Sequence, residues 1–298
     1  MPVNAQNTLV VIRHGIFSDA TAMSILETAC RRILPNCQVD NQTYRWQDSI
    51  LHSGVTLARH IGQSISSQPA FNKLILVGHS QGGLVCRIAA AALLSPSDFH
   101  AILQKLRASD DYYYNVAIDE LSALVRETSS LNWPKIVGGV AMLATPNSGA
   151  ITYGQLSLQA QLAVGAAKHL ASLRGWNNFD ELTTDKLFRV FQHIRVPSAH
   201  YLSVSGSRIN KFRSLSVRTL SSIPVVGRLG LYLDLPNDLV VEDSSVDISK
   251  APLPSEIEDL AVQYRHVRTY TDCIDVSHTA IHSNSAVEQV LGLYLPKW

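Results

Sequence analysis

Leu74-Ile75-Leu76-Val77-Gly78-His79-Ser80-Gln81-Gly82-Gly83 sets four apolar residues directly before a serine framed by glycines. Four apolar residues in a row read as a strand buried on both faces, the pattern of a parallel sheet. Leu84 to Leu94 follows without Pro or Gly, is rich in Ala and Leu, and reads as a helix that stops before Ser95-Pro96. Gly78-His79-Ser80-Gln81-Gly82 therefore fits Gly-x-Ser-x-Gly in a strand-turn-helix setting. In such a turn the serine is held in a strained conformation that lifts its hydroxyl clear of the sheet. The flanking residues need to be glycine because a Cβ would strike the helix packing back on the strand. The amide after the serine stands at a helix N-terminus, where it can face a developing negative charge. The alternative is an ordinary strand-to-helix turn with Ser80 as a helix N-cap.

These features resemble the α/β-hydrolases of the lipase and esterase type, and the chain is similar to bacterial triacylglycerol lipases and to GPI inositol-deacylase-like hydrolases. The resemblance implies a mostly parallel central sheet flanked by helices, with a helical cap or lid insertion. Residues 1–298 read as a single domain of that fold, with the cap over 147–195. Four further motifs carry the likeness. Thr8 to Ile12 is a buried strand ending in Arg13-His14-Gly15-Ile16-Phe17, which resembles the oxyanion loop. Carried over, Ile16 N–H and Gln81 N–H are the two oxyanion donors, and His14 and Phe17 border the substrate. The alternative for His14 is a brace of the loop. Lys135 to Ala144 is another strand, running into Thr145-Pro146-Asn147-Ser148-Gly149. That loop resembles the one that borders the lipase site and begins the cap, so Thr145 and Pro146 are expected at the substrate. Pro236-Asn237-Asp238-Leu239-Val240 resembles the loop presenting the catalytic acid, with Leu239 where glycine is usual. Asp238 is the expected acid, Asp243 the fallback and Glu242 a third choice. Val276-Ser277-His278-Thr279-Ala280 resembles the loop of the catalytic base, so His278 is the expected base, with His282 its competitor.

Ser80, Asp238 and His278 occur in the order expected of this fold. The implied chemistry is ester hydrolysis through an acyl-Ser80 intermediate, on lipid or long-acyl esters. Acyl transfer or amide hydrolysis on the same three residues is the alternative enzyme, and a non-catalytic hydrolase-fold binding protein the alternative outside catalysis. No cofactor and no metal are expected.

Elsewhere the chain is less informative. Ile151 to Ala167 carries no charge, with Leu158, Leu162, Ala166, Leu170 and Leu173 at helical spacing, as a lid or a core helix would. Eight basic residues and no acid lie between Lys186 and Leu233, which allows transient contact with a lipid surface. Asp110-Asp111-Tyr112-Tyr113-Tyr114 reads as a solvated connecting segment rather than a sugar or metal site. A net charge of +1 excludes a global field for nucleic acid, and 46% hydrophobic with 16% charged residues describes a well-buried chain. The cysteines, Cys30, Cys37, Cys86 and Cys273, have no metal-ligand spacing, though Cys30 and Cys37 are close enough in sequence to pair. No run approaches a membrane span, and no basic-then-apolar leader opens the chain, so a cytoplasmic location is expected.

Overall fold

The computed structural model describes residues 7–68, 70–106, 112–147, 181, 199–206, 269–274, 278 and 280–298. Six strands form one sheet: β1 (Thr8–Arg13), β2 (Gln38–Asn41), β3 (Lys73–His79), β4 (Val137–Leu143), β5 (His200–Gly206) and β6 (Thr269–Ile274). Their order is β2-β1-β3-β4-β5-β6, and every pair is parallel. Parallel neighbours require crossovers, and the connecting helices cover the sheet.

Side chains alternate along each strand between two separate apolar layers. Leu9 and Val11, Leu74 and Leu76, and Val140 and Met142 face one layer. That layer is completed by α2 (Ile50–Ser67), α3 (Gln81–Leu94), α4 (Pro96–Leu106) and α5 (Tyr112–Glu127). Val10 and Ile12, Ile75 and Val77, and Ala141 and Leu143 face the other. There they meet α1 (Ser24–Ile33), a later helix (Ser285–Tyr294) and the Trp298 indole. This two-sided burial is why the central strands are apolar without interruption.

A short α6 (Trp133–Ile136) leads into β4, and the Ser285–Tyr294 helix is α7. Both long helices flanking the site start on side-chain caps. The Ser49 hydroxyl accepts from His52 N–H at the start of α2, and the Asn284 side chain accepts from Ala286 N–H at 2.8 Å at the start of α7. Glu181 is buried against the first of these caps, accepting from the Ser49 hydroxyl at 2.6 Å and from Ile50 N–H.

Several sequence expectations need correcting. Val39 to Trp46 reads as a strand from the sequence, but β2 ends at Asn41 and the chain then turns to brace the loop after β1. The polar stretch from Ser95 reads from the sequence as one helix over 116–127, but it holds two, α4 and α5. Pro96 starts α4 at a position that needs no amide donor, and Phe99 and Leu103, one turn apart, are both buried. The last strand, expected at 264–270, is Thr269–Ile274. Cys30 and Cys37 are free, buried thiols, not a disulfide; burial pushes the Cys30 thiol up to about 12. The expected lid, the basic run after Lys186 and the Asp110-Asp111 pair lie outside the described residues or side chains.

The order β2-β1-β3 decides where a site can form. The chain leaves β1 toward one side of the sheet and returns for β3 on the other. The crossovers diverge there, and a crevice opens beyond the carboxyl ends of β1 and β3. His14 and Ser80 immediately follow those two ends.

Candidate active site

Ser80 has φ 53° and ψ −127°, a conformation costly for any side-chain-bearing residue. It is held by packing on every side. Ser80 N–H donates to Leu143 O at 2.8 Å, and Gly83 N–H donates to Ser80 O at 3.0 Å. A Cβ on Gly82 would run into the carbonyl oxygens of Arg13 and His14, and one on Gly83 into the Thr145 side chain. The glycines therefore let β1, the elbow and the loop after β4 approach to backbone contact. Phe17 and Ala144 also have positive φ, at 53° and 50°. Strain thus collects on the loops just past the ends of β1, β3 and β4.

The Ser80 side chain makes no capping bond to α3. Its hydroxyl instead lies 2.9 Å from His278 Nε2, a pair 198 positions apart in sequence. Both residues are buried, each 6% exposed. His282 is not within that contact; its ring packs against His79 with centroids 5.0 Å apart.

The loop after β1 is braced from within. Tyr44 N–H donates to His14 Nε2 at 3.3 Å, so His14 Nδ1 carries the proton and donates to Gly15 O at 2.8 Å. The Tyr44 hydroxyl donates to His14 O at 3.1 Å. Burial lowers the basicity of the His14 imidazole. With no exposed surface and both ring nitrogens committed to backbone, His14 has no free polar atom for a substrate. It is the brace of the loop. Ile16, two residues on, is half-buried on the apolar layer that holds α2 and α3.

Gln81 opens α3, and its side-chain amide donates to Trp46 O at 2.8 Å, tying the elbow to the segment that carries Tyr44. Phe17 is 43% exposed and packs on Trp46 with ring centroids 4.5 Å apart. Thr145 and Pro146 are buried beside the elbow, and the Thr145 hydroxyl has no partner among the described residues. Arg87 of α3, also buried, points a guanidinium nitrogen at Asn147 O and Oδ1, both at 3.4 Å. Asp238, Glu242, Asp243 and Ser148 lie outside the described residues. No group of three His, Cys, Asp or Glu is arranged to hold a metal among the described residues.

From the sequence Tyr44 reads as core or rim packing, with substrate contact the alternative, and His79 has no assigned role. Neither carries a motif signal, because each acts through a backbone partner that only folding supplies.

Comparison with known proteins places this geometry. Residues 4–110 match the family model described as "Putative serine esterase (DUF676)", a span that includes Ser80 and stops short of His278. No curated protein sequence matches significantly. Among solved structures, the chain superposes on the lipase BlEst2 of Bacillus licheniformis in its mature form, with a TM-score of 0.53 and 18% identity, covering 99% of this chain and 94% of that one. The propeptide form of BlEst2 gives a TM-score of 0.55 at 17% identity; all of this chain is covered, but only 52% of that longer chain. The lin2722 product of Listeria innocua gives 0.52 at 11% identity, covering 98% and 95%. The fold is that of the α/β-hydrolases.

Proposed function

We propose that this α/β-hydrolase-fold chain is a serine ester hydrolase acting through an acyl-Ser80 intermediate. The observation that carries the reading is the 2.9 Å contact between Ser80 Oγ and His278 Nε2 at a strained elbow. A serine hydroxyl is a weak nucleophile until a base removes its proton. His278 Nε2 takes that proton as Oγ attacks the ester carbonyl, then gives it to the departing alcohol. Water attacks the acyl-Ser80 bond in turn and releases the carboxylic acid, returning the proton to Ser80. Asp238 is proposed to hold the His278 imidazole in the right tautomer. The Ile16 and Gln81 amides are proposed to receive the oxyanion; each such donor is worth roughly 10²–10³ in rate. The brace on His14 and the tether from Gln81 to Trp46 support this, because donors must be fixed before charge develops. Phe17, exposed beside Trp46, is proposed to border the acyl group.

Lipid or long-acyl esters are the proposed substrates. Support comes from the uncharged stretch 151–167, proposed to lie in a cap over 147–195. No helix among the described residues is long and apolar enough to cross a membrane, so contact with a lipid surface is proposed to be transient.

The test is hydrolysis of a p-nitrophenyl ester series together with fluorophosphonate labelling. Wild-type protein is expected to label at Ser80 and turn over, and Ser80→Ala to do neither. Turnover that survives Ser80→Ala defeats the reading. A rate that rises from acetyl to longer acyl esters supports the lipid assignment, and a flat or falling profile removes it.

A further inference from the structure

The residue between Gly78 and Ser80 is free to vary in the Gly-x-Ser-x-Gly pattern, yet here its side chain is buried at the centre of the site. His79 Nε2 lies 2.9 Å from the main-chain carbonyl oxygen of His278. A carbonyl only accepts, so Nε2 carries the proton and Nδ1 is left as a bare acceptor. Nδ1 has no hydrogen-bond partner among the described residues. A Cβ built on Gly15 would lie 3.3 Å from it, so this edge of the ring faces the loop after β1. The rings of His278 and His282 each lie 5.0 Å from the His79 ring, at interplanar angles of 47° and 55°. One imidazole thus touches the loop proposed to receive the oxyanion, the elbow itself and the loop that carries the base.

We propose that His79 is a positioning residue for ester hydrolysis at Ser80: its Nε2–H clamps the His278 main chain and so sets the reach of the His278 imidazole to the Ser80 hydroxyl. The inference rests on the serine-hydrolase reading above. Ser80 is anchored by backbone contacts with its neighbours, whereas His278 arrives from the far end of the chain and needs a fixed point. His79 is adjacent to the nucleophile, so a bond from it transmits the nucleophile's position directly to the base. Reacting groups displaced by about 1 Å can lose on the order of 10² in rate.

The chemistry of the ring suits this role. Burial pushes the His79 imidazole well below its ordinary 6.5, and His278, His282 and His14 push it the same way. It therefore stays neutral while His278 takes up and releases a proton. A cationic His79 would oppose the positive charge that develops on His278.

The test compares three substitutions in the intact chain, with p-nitrophenyl ester turnover and the rate of fluorophosphonate inactivation as readouts. His79→Leu keeps bulk and removes the donor; kcat is expected to fall roughly 10- to 100-fold with KM unchanged, and inactivation to slow in parallel. His79→Gln puts an amide N–H where Nε2 stood and is expected to recover most of that loss. His79→Asn places its amide near Nδ1, short of the carbonyl, and is expected to behave like His79→Leu. A folded His79→Leu with wild-type kcat, or one that changes KM alone, overturns the clamp. Should His79→Leu not fold, the other two decide, and equal rates for Gln and Asn overturn it. Wild-type protein that neither labels at Ser80 nor hydrolyses esters brings down the parent reading and the clamp with it. Normal wild-type turnover with indifferent His79 variants removes the clamp alone.

Discussion

Ser80 and His278, the proposed nucleophile and base, are positioned by different physics. The elbow around Ser80 is held by close packing: Gly82 lies against the Arg13 and His14 carbonyls, and Gly83 lies under the Thr145 side chain. His278 meets the elbow through two imidazole contacts, its own Nε2 on Ser80 and His79 Nε2 on its carbonyl. Close packing tolerates no added atom, whereas hydrogen bonds made by imidazole rings tolerate small displacements at a cost in rate. The difference teaches that one half of a two-residue machine can be rigid by construction while the other is set by bonds that a single substitution removes.

The largest expected effect treats the two halves alike. Ser80→Ala and His278→Ala should each lower kcat by roughly 10⁶, because a nucleophile and its base act as one unit. A double variant no worse than either single would sharpen that unity; additive losses, read from ester turnover, would break it. Next in size is the rigid half. Gly82→Ala should destabilise by about 3 kcal/mol, since its Cβ meets backbone oxygens that cannot move aside. Its urea midpoint checks this, and an unshifted midpoint would show the elbow to be more yielding than its packing indicates.

The histidine cluster supplies the third expectation. His79 and His282 are made less basic first by burial and then by His278, and His14 by burial. Their folded-state pKa values lie below the ordinary 6.5, so the unfolded chain takes up protons first as pH falls. The stability they contribute is full above about pH 6.5 and declines below it, toward the folded-state values. Urea titrations at pH 7.5 and pH 5 should show the lower midpoint at pH 5. Equal midpoints would mean that the cluster opens readily to water. The smallest effect belongs to the side of the base: Asn284→Ala removes the cap of α7 and should cost about 1 kcal/mol. Ester turnover should stay within a factor of two or so, since the cap touches neither Ser80 nor His278. A much larger loss of turnover would show that α7 holds the base loop as firmly as the sheet holds the elbow.

Strands β1, β3 and β4 and the helix after Ser80 were legible because each is buried on both sides, and uninterrupted apolar sequence has few other uses. The short β2 was overextended, since Tyr44 and Trp46 favour strand by composition but are turned aside to bind His14 and Gln81. Helix α4 was missed because Pro96 reads as a stop when taken alone and as a first helical residue once Phe99 and Leu103 find the core. A single Cys30–Cys37 spacing says nothing of side-chain direction, and both thiols turned out free.

By itself, the sequence determined that a serine would sit in a glycine-framed turn after a buried strand, because local sterics leave few other conformations for that string of residues. It also pointed to His278 as the expected base, with His282, one turn on, as its competitor. Only the tertiary structure decided that His278 reaches Ser80 and that His282 packs against His79 at a tilt instead. It alone set the His14 ring against the Tyr44 backbone and the His79 ring against the His278 carbonyl. The reason is range: strain and periodicity act over a few residues, whereas a hydrogen bond across 198 positions exists only after the sheet has brought its strand ends together.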